Sequence, residues 1–250
     1  MPAASLVLAT GITAVGLGAP SPPPEPPAGR IVDMVVARVN DAVVTLSELV
    51  AQTGLVLLQT RGADVAIDAA LSRDLLASVL DVVVNETLLH QEVRRLQLEP
   101  VSARRVLRAY RADLDRLGSP ADAAAFAMTY GFEPPALDAP PPLWAALLQR
   151  RLEVEAFLEA RSRLEARPSP ARVLGCYEAN AAHFAGRSFA DAEPEIRAQI
   201  EAQVAAQTAE RLIDDLRRRA NVRIAAGFEA PGRVEARGAA PFSCPLGDGP

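Results

Sequence analysis

The sequence predicts a mainly α-helical fold, a helical bundle carrying a small antiparallel sheet formed by an N-terminal hairpin and a C-terminal strand. Three observations predict it. Apolar residues recur at intervals of three and four through most of residues 46–216, the period of a helix with one buried face. Two short Val-rich runs flank Asn40-Asp41, which is hairpin chemistry. A single strand-like run, Asn221-Val222-Arg223-Ile224, stands alone at the far end. Because an isolated hairpin is marginal in water, this last run is expected to return and pair with residues 35–39 or 43–44, closing one domain from both ends.

Each element follows from its local chemistry. Residues 33–39 alternate loosely, Asn40-Asp41 turns the chain, and Ala42-Val43-Val44 returns it. Thr45 followed three residues later by Glu48 has capping-box spacing, so a helix is expected from Leu46 to about Thr60. Asp68 is read as the N-cap of the longest helix, residues 69–98, with Leu75, Val79, Val82, Leu89, Val93 and Leu96 on one stripe and Leu76, Leu80, Val83 and Leu88 flanking it. So wide an apolar arc suits the centre of a bundle. Ser102 caps a helix through Arg116, and Ser119-Pro120 opens another that Gly131 closes, by the asymmetry that puts Pro at the start and Gly past the end. Five prolines make residues 132–142 a loop. A helix from Leu143 towards Ala166 carries Trp144, Leu147, Leu148, Leu152, Phe157 and Leu158; Ser169-Pro170 restarts a short one through Asn180; residues 191–219 form the last, with Ile196, Ile200, Val204, Leu212 and Leu216 on one stripe.

Composition removes whole chemistries. With 250 residues the chain has room for one or two domains. All 26 basic residues are Arg, since no Lys occurs. The phosphate-binding Lys of a P-loop, the Schiff-base Lys of a pyridoxal enzyme and the Lys of kinases and Ser-x-x-Lys hydrolases are therefore excluded. A formal net charge of −5 argues against nucleic acid as a partner.

Residues 1–19 form an apolar run read as a signal segment, its Gly16, Gly18 and Ala19 offering a cleavage zone, although no Arg or Lys precedes it. Six prolines within residues 20–27 place a Pro-rich linker over 20–30. The folded domain is expected over residues 31–226, beginning near Ile31, with a disordered tail at 227–250 rich in Gly, Pro and Ala. Cys176 falls in a predicted helix and Cys244 in that tail. Two unpaired thiols and one flexible bridge are both compatible with that placement.

Catalytic constellations are not found in the sequence. The two His residues, His90 and His183, lack the i+4 partner of a helix-borne zinc site, and no Cys-x-x-Cys occurs; no metal and no cofactor are expected. His90 reads as a surface residue of the long helix. Glu153, Glu155 and Glu159 alternate with Arg151, Arg161 and Arg163, a pattern of solvated helix faces. What stands out is apolar: Phe126, Met128, Tyr130, Phe132 and Trp144 gather around the Pro-rich loop of a chain only 4% aromatic. Each one singly belongs in a core; together they are the candidate lining of a groove for an apolar peptide segment.

The run Val39-Asn40-Asp41-Ala42-Val43-Val44-Thr45-Leu46-Ser47-Glu48-Leu49 resembles the opening hairpin and helix of the SurA-type periplasmic chaperones, whose relatives include the PrsA and PpiD foldases. Asn85-Glu86-Thr87-Leu88-Leu89-His90-Gln91-Glu92-Val93, with Leu98 and Val101-Ser102 after it, is similar to that family's next helix and link. The resemblance resumes at Tyr177, Asn180, Phe184, Phe189, Ile196, Ile200, Leu216-Arg217 and Val222-Arg223-Ile224. It covers about residues 31–224, with 114–164 alike only in helical character. It implies the fold shared by SurA N-terminal and trigger-factor C-terminal domains.

One departure bears on activity. The family commonly inserts a parvulin prolyl isomerase domain before the final helix, but here Phe184 and Phe189 are nearly adjacent, leaving no room for roughly a hundred residues. The resemblance thus implies an exported periplasmic or cell-envelope protein, acting without nucleotide, that holds unfolded or outer-membrane client polypeptides on apolar helical surface and has no isomerase activity of its own. The alternatives are a prolyl isomerase or isomerase accessory, and an envelope scaffold for one defined partner.

Overall fold

A computed structural model describes residues 33–165, 168–229 and 242–244. The expected signal segment and linker, and the start of the fold near Ile31, lie outside the described residues. Among the described residues eleven elements follow in order: β1 (Val35–Val39), β2 (Ala42–Thr45), α1 (Leu46–Arg61), α2 (Ala63–Asp68), α3 (Arg73–Arg95), α4 (Ala103–Leu117), α5 (Pro120–Tyr130), α6 (Pro142–Glu165), α7 (Pro170–Ala179), α8 (Phe189–Arg219) and β3 (Val222–Ile224). The chain is mainly helical with a small antiparallel sheet, as its sequence predicts.

The sheet has the order β2-β1-β3. Of the two pairings open to the last strand, the one formed is with β1: Ala37, Arg38 and Val39 stand opposite Ile224, Arg223 and Val222. Asn40 makes this closure specific. Its left-handed φ of 54° turns the hairpin. Its backbone N–H donates to Asn221 O (2.9 Å) and its side-chain oxygen accepts from Asn221 N (2.9 Å). The Asn40 amide also donates to Gln91 on α3 (2.7 Å), and Gln91 donates to Val39 O (2.9 Å). Turn, terminal strand and central helix are thereby fixed together.

Helix boundaries show where local signals hold and where neighbours displace them. Thr45, Ser119 and Ser169 cap as expected, each accepting from the backbone N–H three residues on (3.3, 3.1 and 3.3 Å). The reciprocal half of the capping box at Glu48 is replaced, because that carboxylate turns to Arg150 and Gln52. Asp68 does not cap α3. It ends the short helix α2, which the sequence reading missed, and the cap is Ser72, whose Oγ accepts from Leu75 N (3.2 Å). α3 stops at Arg95 rather than Leu98, with Gln97 in the left-handed region (φ 53°). Its buried face is centred on Leu76, Leu80, Val83, Val84 and Leu88, while Val82 and Leu96 of the expected stripe are exposed. α8 begins at Phe189, two residues before the expected start, because Ser188 caps it by accepting from Asp191 N (3.3 Å).

α3 lies between α1, α6 and α8, and a polar seam fixes how α6 seats on it. Arg150 of α6 donates to Glu48 of α1 (2.7 Å) and Glu86 of α3 (2.8 Å). Burial acts to lower the Arg150 pKa, but the two carboxylates outweigh it and the net shift is upward. One turn along, His90 meets Glu153 (3.0 Å), which also accepts from Gln149 (3.0 Å). Glu153 is thus buried at 9% exposure instead of lying on a solvated face, and His90 is a half-buried partner of it rather than a free surface residue. Such a network disfavours other registers of α6, because slippage leaves buried charges unpaired.

Two of the four buried clusters centre on aromatic residues, and the second of these contains the tail. α8 is about 46 Å long, and its C-terminal half packs against α3 and α6 through Leu212, Leu89, Val93, Val154 and Phe157. Its N-terminal half packs against α7, with Val173, Cys176, Phe184, Ala192, Ile196, Ile200 and Val204 around Phe242 and Cys244. The expectation of a structureless tail from 227 onward is therefore corrected at its described residues. Phe228 is buried against the sheet cluster, and Phe242–Cys244 return to α7 and α8, where Cys244 is disulfide-bonded to Cys176. Aromatic burial and one covalent bond outweigh the Gly/Pro composition there. Of the two readings left open for the cysteines, the bridge is the one present.

Candidate functional site

The five aromatic and Met residues expected to line a groove do not line one. Trp144 is fully buried, with its ring centroid 4.6 Å from Phe132, 5.2 Å from Tyr110 and 5.3 Å from Phe126. Phe126, Tyr130 and Phe132 are buried with it; Met128, at 83% exposure, is on the surface. The prolines of 132–142 stop the chain from being helical, but they do not splay α5 from α6, because Phe132 folds back over Trp144 and Phe126. Tyr130 reaches Ala66 O with its hydroxyl (2.5 Å) and lays its ring on Gly54, where a Cβ would come within 2.5 Å of it. Only glycine in α1 admits that ring. The cluster contains one carboxylate, Asp113, accepting from Trp144 Nε1 (3.4 Å), Gln59 (3.4 Å) and Arg116 (3.0 Å), and burial raises its pKa.

One surface open to a partner is the end and outer face of the sheet. In an antiparallel pair, directly opposed residues alternate between exchanging backbone hydrogen bonds and facing away from one another. Asn40 N donates to Asn221 O and Ala225 N donates to Val36 O, so residues 221, 223 and 225 face β1. Val222 and Ile224 consequently direct their N–H and C=O groups to the opposite edge, where they have no backbone partner among the described residues. An open edge of this kind accepts an added strand.

Beside that edge lies a recess of about 400 Å³ lined by Arg38, Asn40, Asp41, Asn221 and Arg223. Arg38 and Arg223 are directly opposed across β1 and β3 and both are exposed. Like charges so placed repel, and neither has a carboxylate partner within ion-pair distance among the described residues. Arg38 spends one N–H on Asn40 O (3.2 Å). Both guanidinium groups share the recess with the Asp41 carboxylate, and each carries the fork of donors that a carboxylate can accept from in pairs. Met34, Val35 and Val43, exposed at the hairpin, add apolar surface to the same sheet. Sequence reading missed this site because Arg38 and Arg223 are 185 positions apart; only the pairing of β3 with β1 brings them together.

Among the described residues no group of His, Cys, Asp and Glu is arranged to hold a metal, and no helix is long and apolar enough to cross a membrane. No protein-family model matches the chain, and no curated protein is significantly similar to it.

Proposed function

We propose that the protein is an exported, ATP-independent chaperone-like binder of unfolded polypeptides, the reading its resemblance to the SurA-type N-terminal fold suggests. The observation that carries it is the open β3 edge beside the Arg38–Arg223 recess. Main-chain pairing along an edge is indifferent to side-chain sequence, so it suits many extended clients, and the two guanidinium groups favour those with an acidic residue near the paired segment. The net charge of −5 keeps a loaded complex soluble. The Cys176–Cys244 disulfide supports residence in an oxidising compartment such as the periplasm. Client capture replaces the expected helical aromatic surface, whose rings are committed to the core.

The test is suppression of aggregation for several unrelated denatured proteins, with Ile224→Pro as the deciding variant. That proline removes an N–H which β1 does not use, so the sheet survives while strand addition is blocked. Suppression by the wild-type chain across clients, lost in a variant whose melting curve is retained, is the expected result. Suppression unaffected by Ile224→Pro rules out the edge. Binding confined to one partner makes the protein a scaffold, and catalysis of prolyl isomerisation by contaminant-free protein makes it an isomerase.

A further inference from the structure

The groove between α7 and α8 holds a piece of extended polypeptide, and the manner of holding is informative. Gln199 of α8 donates to Phe242 O (3.1 Å), and Asn180, the residue that ends α7, donates to Ser243 O (3.1 Å). With its amide oxygen and nitrogen exchanged, the orientation that satisfies both atoms, Gln203 donates to Cys244 O (3.3 Å) and accepts from Cys244 N (3.1 Å) and from Ser243 Oγ (3.3 Å). Three consecutive residues are therefore read through their main chain by three side-chain amides, which would make the same bonds to any sequence. Side-chain identity enters at three points. The Phe242 ring is buried against Phe184 (centroids 5.0 Å) and His183 (4.9 Å), and the small Cys244 is buried over Cys176. Ser243 between them is exposed, but its hydroxyl bonds the Gln203 amide (3.3 Å).

A segment needed only as a structural staple requires the disulfide and an apolar side chain. It does not require an amide ladder that reads the backbone of each residue. We propose that the α7–α8 groove is a binding site for extended polypeptide segments of the form aromatic, exposed polar residue, small residue, and that Phe242–Cys244 is its resident occupant, locked by the Cys176–Cys244 bond. Opening the lock takes a dithiol: its first thiolate attacks one sulfur and displaces the other Cys as a thiol, and its second thiol resolves the mixed disulfide. Two Cys thiols and one oxidised dithiol result. The tail then competes for the groove only through its tether, and a segment of another chain can replace it. The site shares no residue with the sheet edge, so the two can fail separately.

The experiment uses the full chain and a fluorescent peptide, Ala-Pro-Phe-Ser-Ser-Pro-Leu, which copies residues 240–246 with Ser in place of Cys. Three proteins are compared: the oxidised wild type, the Phe242→Ala/Cys244→Ser variant, and that variant carrying Gln199→Ala and Gln203→Ala in addition. The expected result is binding to the first variant about tenfold or more tighter than to oxidised wild type, a loss of similar size when the peptide Phe is Ala, and weakening when the glutamines are removed. Equal, weak binding to all three folded proteins overturns the proposal and leaves the tail as a staple. Should the variant fail to fold, the peptide is added to wild type held in dithiothreitol and amide exchange is followed over α7 and the first half of α8. Slowed exchange supports the site; unchanged exchange overturns it.

Discussion

Trp144 and Phe242 are both almost sealed from solvent, but what seals them differs. Trp144 is enclosed by residues contributed from α1, α2, α4, α5 and α6, with Tyr110, Phe126 and Phe132 around its ring. No single segment can leave without opening the bundle. Phe242 is enclosed by α7, α8 and the turn between them that carries His183 and Phe184, and it arrives on a tail held by one disulfide and a few side-chain amides. The first cluster is a core in the full sense, and its loss is global. The second is a core that one short segment completes, so its opening is local. An aromatic cluster in a sequence therefore does not distinguish a binding groove from a core; what matters is how many elements must move to expose it.

The largest expected effect breaks the first cluster. Trp144→Ala should cost about 3–5 kcal/mol, the range for deleting a buried Trp. Chemical denaturation measures it, and a loss under about 1 kcal/mol would mean that the ring is not enclosed as described. Opening the second cluster should cost less: Cys176→Ser/Cys244→Ser removes a bridge across 68 residues and should destabilise by about 2–4 kcal/mol. The sharper readout is amide exchange, which should quicken in α7 and the first half of α8 while β1, α3 and α6 keep their protection. Uniform acceleration would show that the two clusters are one cooperative unit.

The smallest effect concerns Asp113 beneath Trp144. Burial raises its pKa in the folded chain, so the folded state binds this proton more tightly than the unfolded one. Its contribution is fully present below the unfolded carboxylate pKa and is lost as pH rises through the folded one. Asp113→Asn keeps an acceptor for the Trp144 indole and removes that titration. Relative to wild type it should therefore gain stability on going from acid to neutral pH. A difference that does not vary with pH, in paired urea titrations, would assign the raised pKa to no stability effect.

Much of the fold was legible because its signals are local. Ser119-Pro120 with Gly131, Ser169-Pro170, and Asn40 at the turn each select a backbone conformation through their own atoms, and the helices they bound are where those residues place them. Where a stronger partner existed elsewhere, local reading failed. Glu48 has capping-box spacing yet pairs with Arg150, 102 positions away, and Glu153 sits in a run of solvent-type charges yet is buried against His90. The candidate site was the least legible part. Arg38 in the hairpin and Arg223 in the last strand carry no mutual signal at all.

By itself the sequence determined the helical class, the hairpin, the need for a third strand and the absence of Lys chemistry, since periodicity, caps and composition act over a few residues or over the whole chain. The tertiary structure alone decided that β3 pairs with β1, that Tyr130 rests on Gly54, that the aromatic residues near the Pro-rich loop face inward, and that Cys244 finds Cys176. Each of these depends on which surfaces meet across tens to hundreds of residues, and burial is a property of that meeting rather than of any residue's own chemistry.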